Sequence, residues 1–180
     1  NFLLVRGGQT EGMVDLGTLG GTISRAFAIS DAGEVVGYST TASCCGGHAF
    51  LWTAAGGMVD LGTLAGAGTS SATGINNAGQ VVGWSGSRAF LWTAAEGMID
   101  LGTLGGTVGS EATGINDAGQ VVGRTYPPCG RYPQFCPAAR PFVWSAAGGM
   151  VDLGNLGGTF AEANAINNVG QVAGTATAAT

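Results

Sequence analysis

The sequence predicts an all-β repeat fold, a small β-propeller of four units. Three observations carry the expectation: short blocks that return along the chain, β-branched and aromatic residues inside each block, and Gly or Asn/Asp at the block edges. The block Met13-Val14-Asp15-Leu16-Gly17-Thr18-Leu19-Gly20-Gly21 returns from Met58, Met98 and Met150, so successive units start 45, 40 and 52 residues apart.

A second block, Ala28-Ile29-Ser30-Asp31-Ala32-Gly33-Glu34-Val35-Val36-Gly37, recurs at Gly74–Gly83, Gly114–Gly123 and Ala165–Gly174. It reads as a hairpin: Ile, an Asn/Asp-rich turn closed by a glycine that supplies a left-handed conformation, then a Val-rich strand. A third block, Ala49-Phe50-Leu51-Trp52, returns at Ala89–Trp92 and as Pro141-Phe142-Val143-Trp144. Each unit therefore carries four short antiparallel strands, and helices have almost nowhere to sit.

Four strands in ~40–50 residues is the dimension of a propeller blade. The alternative is a β-solenoid, whose coils turn every ~20–30 residues; no half-unit here resembles the other half. The domain reading is an N-terminal closing or donor strand with its linker over 1–12, then a four-repeat β domain over 13–180. The last unit lacks its Phe-Leu-Trp strand, whereas Phe2-Leu3-Leu4-Val5 stands ahead of the first unit in the place of one. That strand is expected to complete the last blade, either of its own chain or of a neighbouring molecule. Phe2 lies eleven residues before Met13, against eight for Phe50, Phe90 and Phe142 before their methionines. Three extra residues add up to ~10 Å of reach.

The repeated Ala-Phe-Leu-Trp, Gly-Met-Val-Asp-Leu-Gly-Thr-Leu-Gly-Gly and Ile-Asn-Asn-Ala-Gly-Gln-Val-Val-Gly motifs resemble the HAF family of probable extracellular repeats, whose name triplet is present as His48-Ala49-Phe50. The likeness runs from about Met13 to Gly174 and departs at the triplet in two copies, where Arg88 and Arg140-Pro141 stand. It implies secretion or surface display and no reaction.

Composition narrows the function classes. Of 180 residues 35 are Gly, 45% are apolar, and 11 acids face 6 arginines and no lysine, for a net charge of −5. A chain of this makeup folds, and it lacks the basic patch that nucleic acid or an anionic membrane surface requires. No stretch offers the ~20 mostly apolar residues of a membrane-spanning helix. The chain opens on Asn1, consistent with a removed leader or with a segment of a longer protein.

The cysteines fall in two groups, Cys44 with Cys45 and Cys129 with Cys136, without the His or CxxC partners of a zinc site, so disulfides outside the cytosol are expected. On opposite blades of a ring the two groups would stand beyond bridging distance, which predicts Cys129–Cys136 and a vicinal Cys44–Cys45 pair.

Asp15, Asp60, Asp100 and Asp152 share one repeat position and read as turn acceptors, since calcium wants several clustered oxygens and each is alone in its segment. One histidine, no Gly-x-Ser-x-Gly elbow and no independent carboxylate pair leave no catalytic constellation, no metal site and no cofactor. Glu111 and Glu162 are expected as solvated charge. Trp52, Trp92 and Trp144 are expected between blades. Trp84 with Tyr38, and Tyr126, Tyr132 and Phe135 of an insertion, are the candidate ligand contacts. The expected function is a non-enzymatic extracellular building block that self-associates head to tail by strand donation. The alternative is a carbohydrate-binding or adhesive propeller.

Overall fold

The computed structural model describes residues 12–43, 46–128 and 139–179, together with the backbone of 2–5. These residues form sixteen strands and no helix, so the all-β expectation holds. Three antiparallel sheets are complete. The first contains β3 (Gly20–Ile29), β4 (Val35–Thr41), β5 (Gly47–Thr53) and β6 (Gly57–Asp60). The second contains β7 (Ser70–Ile75), β8 (Val81–Ser85), β9 (Arg88–Thr93) and β10 (Gly97–Asp100). The third contains β11 (Gly109–Ile115), β12 (Val121–Tyr126), β13 (Arg140–Ser145) and β14 (Gly149–Asp152).

Two half-sheets flank them in sequence. β1 (Phe2–Val5) pairs with β2 (Gly12–Asp15), and β15 (Gly157–Ile166) pairs with β16 (Val172–Ala178). The first pair is the third and fourth strands of a unit: Phe2 stands opposite Asp15 as Phe50 stands opposite Asp60. The second pair is the first and second strands of a unit. All five sheets are meanders of consecutive strands, so the coil-to-coil pairing of a solenoid is not the pattern here. Among the described residues the two half-sheets are hydrogen-bonded to no common sheet.

The turns are as local chemistry dictates. Between β7 and β8 the Asn76 N–H donates to Gln80 O and the Gly79 N–H to Asn76 O, both at 3.1 Å, with Gly79 at φ +72°. Such a backbone favours glycine because a side chain there meets the following carbonyl.

The sheets pack in chain order. β7 lies against β3–β5, β11 against β7–β9, and β15 against β11–β13; no comparable packing joins β15–β16 to the first sheet. Three buried clusters each hold one Phe and one Leu of the repeat, and the packing of β15 against the third sheet has no such pair among the described residues. Phe50, Phe90 and Phe142 are wholly buried, packed in turn with Leu16, Leu61 and Leu101. Burying each such side chain contributes ~1.5–3 kcal/mol. Trp52, Trp92 and Trp144 are half-buried against the same clusters, as expected between units.

Polar groups are matched across the interfaces. The Ala49 N–H donates to Ser70 Oγ and the Ala89 N–H to Ser110 Oγ, both at 2.9 Å and buried. At the next interface the repeat places Pro141 in the donor position and Ala161 in the acceptor position, so donor and acceptor vanish together and neither is stranded. The turns form a ladder. The Asp31 N–H donates to Asn77 Oδ1, the Asn77 N–H to Asp117 Oδ1 and the Asp117 N–H to Asn168 Oδ1, each at 2.9 Å.

Candidate functional site: an incomplete sheet and an aromatic groove

The array departs from its repeat at the edge of β16. In each complete sheet the glycine of the Val-Val-Gly strand stands opposite the buried Phe of the third strand: Gly37 opposite Phe50, Gly83 opposite Phe90, Gly123 opposite Phe142. The glycine is required because a Cβ would collide with the carbonyl of the first strand, and at Gly37 and Gly123 it would also lie 2.9 Å from the Phe ring. Gly174 repeats this position in β16, and among the described residues β16 pairs only with β15.

Leu153 and Val172, which repeat the positions of Leu101 and Val121, are 44% and 36% exposed, against 6% and 0% for those counterparts. They line an open groove of about 560 Å³ with Leu156, Ala163, Gly174 and Ala176. The groove marks where a third strand and its Phe would sit.

The predicted turn acids behave as a set. Asp15, Asp60, Asp100 and Asp152 each accept from the N–H of the glycine two residues on, at 2.7–2.9 Å. Three of them also meet the residue just before the third block: His48 with Asp60 at 2.9 Å, Arg88 with Asp100 at 3.0 Å, and Arg140 with Asp152. Replacement of His48 by Arg in the other copies thus keeps a donor facing the same carboxylate. The signal was a cationic or imidazole side chain twelve residues before each Asp. Burial works against the Asp152 charge, but the Gly154 N–H and the Arg140 guanidinium hold its pKa below the ordinary value. The Asn77 N–H, followed by the Asn168 amide, depresses the pKa of Asp117.

Glu111 and Glu162 are not solvated charge. Both bind Arg124 of β12, Glu111 within the third sheet and Glu162 from β15, and the Tyr126 hydroxyl donates to Glu111. Burial opposes the Arg124 charge, yet the bond to Glu111 raises its pKa above the usual value. Burial and the same carboxylate push the Tyr126 phenol up to about 12. Tyr126 is therefore committed to an intersheet ionic plug. A basic residue one place after Val-Val-Gly, beside acids at another repeat position, was the available clue.

No family model matches the chain, and no curated protein does.

Tyr38 of β4 and Trp84 of β8 occupy the same repeat position as Arg124, and the structure brings them together in a groove of about 440 Å³ between the first and second sheets. Arg25, Phe27 and Ser71 share its wall. Trp84 also borders a second groove with Tyr126 and Glu111, so three of the five candidate ligand residues line adjoining spaces. Tyr132 and Phe135, with Cys44, Cys45, Cys129 and Cys136, lie outside the described residues, as do the side chains of Phe2, Leu3, Leu4 and Val5.

Proposed function

We propose that the protein is a non-enzymatic extracellular building block assembled by strand donation, in which β1–β2 of one copy completes β15–β16 of the next. The vacant third-strand position beside β16 carries this reading. β1 and β2 are already paired in the register of a third and fourth strand. Joining the halves makes a fourth four-stranded blade, the unit of a propeller. Placing Phe2 of the donor over Gly174 would cover Leu153 and Val172 as Phe142 covers Leu101 and Val121. The edge of β16 would gain the main-chain bonds that β-augmentation supplies.

The turn ladder supports the same junction. Its order is Asp31, Asn77, Asp117, Asn168, so Asn168 meeting Asp31 of a second copy repeats the contact of Asn77 with Asp117. A head-to-tail contact that does not close on itself grows as a filament. Placement outside the cell rests on the resemblance to the HAF repeats.

Light scattering across a concentration series tests the proposal. The intact chain is expected to gain mass with concentration, while a chain lacking residues 1–12, or carrying Phe2→Asp, stays monomeric. A monomer at every concentration, or unchanged assembly after the deletion, would reject donation between subunits; the first outcome favours a self-closed ring.

A further inference from the structure

We infer that the groove between the first and second sheets binds a carboxylate-bearing saccharide. Its position is internal to one chain, so it does not depend on how the array is completed. The third interface differs. There, the side chain one place after Val-Val-Gly is Arg124, which bridges Glu111 and Glu162 and fills the space. At the first interface the charge is moved to the inner strand: Arg25 stands opposite Tyr38, and Ser71 opposite Trp84. No carboxylate of the described residues pairs with Arg25. The space stays open.

Its walls combine the groups that sugar recognition uses. Tyr38, Trp84 and Phe27 offer aromatic faces for the apolar C–H face of a pyranose, with Phe27 held 53% exposed where the next two repeats carry Thr73 and Thr113. Thr73 and Thr113 spend their hydroxyls on carbonyls of the next sheet, Ala112 O and Ala163 O. Phe27 makes no such bond and leaves an apolar surface instead. Ser71 is 5% exposed, lines the groove, and gives its hydroxyl to no protein partner among the described residues. Together with the Tyr38 hydroxyl and the Trp84 indole N–H it supplies the few polar groups that orient a ligand in a mostly apolar cleft. The volume lies within the ~300–1,000 Å³ of small-molecule sites.

Arg25 selects among sugars. A guanidinium without a protein carboxylate is matched by a ligand carboxylate, which it holds through two parallel N–H bonds. A polyanion such as nucleic acid is disfavoured, because one arginine stands in the groove and the chain is acidic overall.

The test is titration of the intact protein at physiological salt with galacturonic acid trimer and with neutral galactotriose, followed by tryptophan fluorescence and calorimetry. Saturable binding of the acidic trimer is expected, with the neutral trimer at least ~10-fold weaker. Arg25→Gln should weaken the acidic trimer by ~10-fold and leave the neutral one unchanged, and Trp84→Ala should weaken both. Arg25 is exposed and Trp84 half-buried, so neither variant removes a core side chain. Absence of saturable binding, binding indifferent to both substitutions, or equal competition by a hexaglutamate peptide would overturn the assignment.

Discussion

Substituting alanine at one repeat position in two different units separates a closed interface from an open one. Leu101 is 6% exposed in the core between the second and third sheets, where it packs with Val121 and Phe142. Leu101→Ala removes three buried carbons and leaves a void lined by fixed neighbours, which costs ~3 kcal/mol. Leu153 repeats that position in the last unit but is 44% exposed in an open groove. Water fills the space vacated by Leu153→Ala, so only part of the transfer free energy is lost, ~1 kcal/mol. Thermal midpoints in dilute protein should fall by about 6–12 °C for the first variant and about 2–4 °C for the second, at ~2–4 °C per kcal/mol for a chain of this size. Self-association covers Leu153, so its truncation should weaken assembly by roughly 30-fold, the equivalent of the ~2 kcal/mol difference. Equal losses for the two variants in the dilute monomer would refute the reasoning, because they would require the β16 groove to be filled within one chain.

Three further outcomes are expected. Pro141→Ala places an N–H opposite Ala161, which offers no acceptor, and should cost ~1–3 kcal/mol; adding Ala161→Ser recreates the Ala89–Ser110 pairing, and a double-mutant cycle in denaturant should show favourable coupling of ~1 kcal/mol. Spectrophotometric titration should find one phenol delayed to about 12, lost in Tyr126→Phe. Because the folded pKa is raised, its stabilising contribution is complete below about 10, the unfolded value, and disappears as pH rises toward 12. Asp117 has the opposite sign: its depressed pKa gives stability above the ordinary carboxylate value of 3.8 that fades as pH falls below it. Acid denaturation of Asp117→Asn should therefore lose part of its steepness in that range.

Much of the site was legible because the repeat compares each unit with its siblings. The place of Phe2–Val5 as a third-block strand follows from counting blocks, and the Tyr38–Trp84 correspondence follows from their place after Val-Val-Gly. The fate of Glu111 and Glu162 did not follow, since it depends on the side chain that meets them, Arg124, which lies opposite Glu111 in its own sheet and faces Glu162 from the neighbouring one. Nor did the contribution of Asn76 and Asn116, which serve their own turns and also donate to Asn116 O and Asn167 O of the next unit.

By itself the amino-acid order determined the strands, the turns and the repeat, because these depend on backbone preference and on partners a few residues away: Gly79 at positive φ, or Asp60 accepting from the Gly62 N–H. Packing between sheets was decided only in three dimensions. Pro141 against Ala161, Phe27 facing an open groove and Leu153 left uncovered are each ordinary residues locally. Their meaning arises from a side chain tens of residues away that supplies, or fails to supply, the complementary surface.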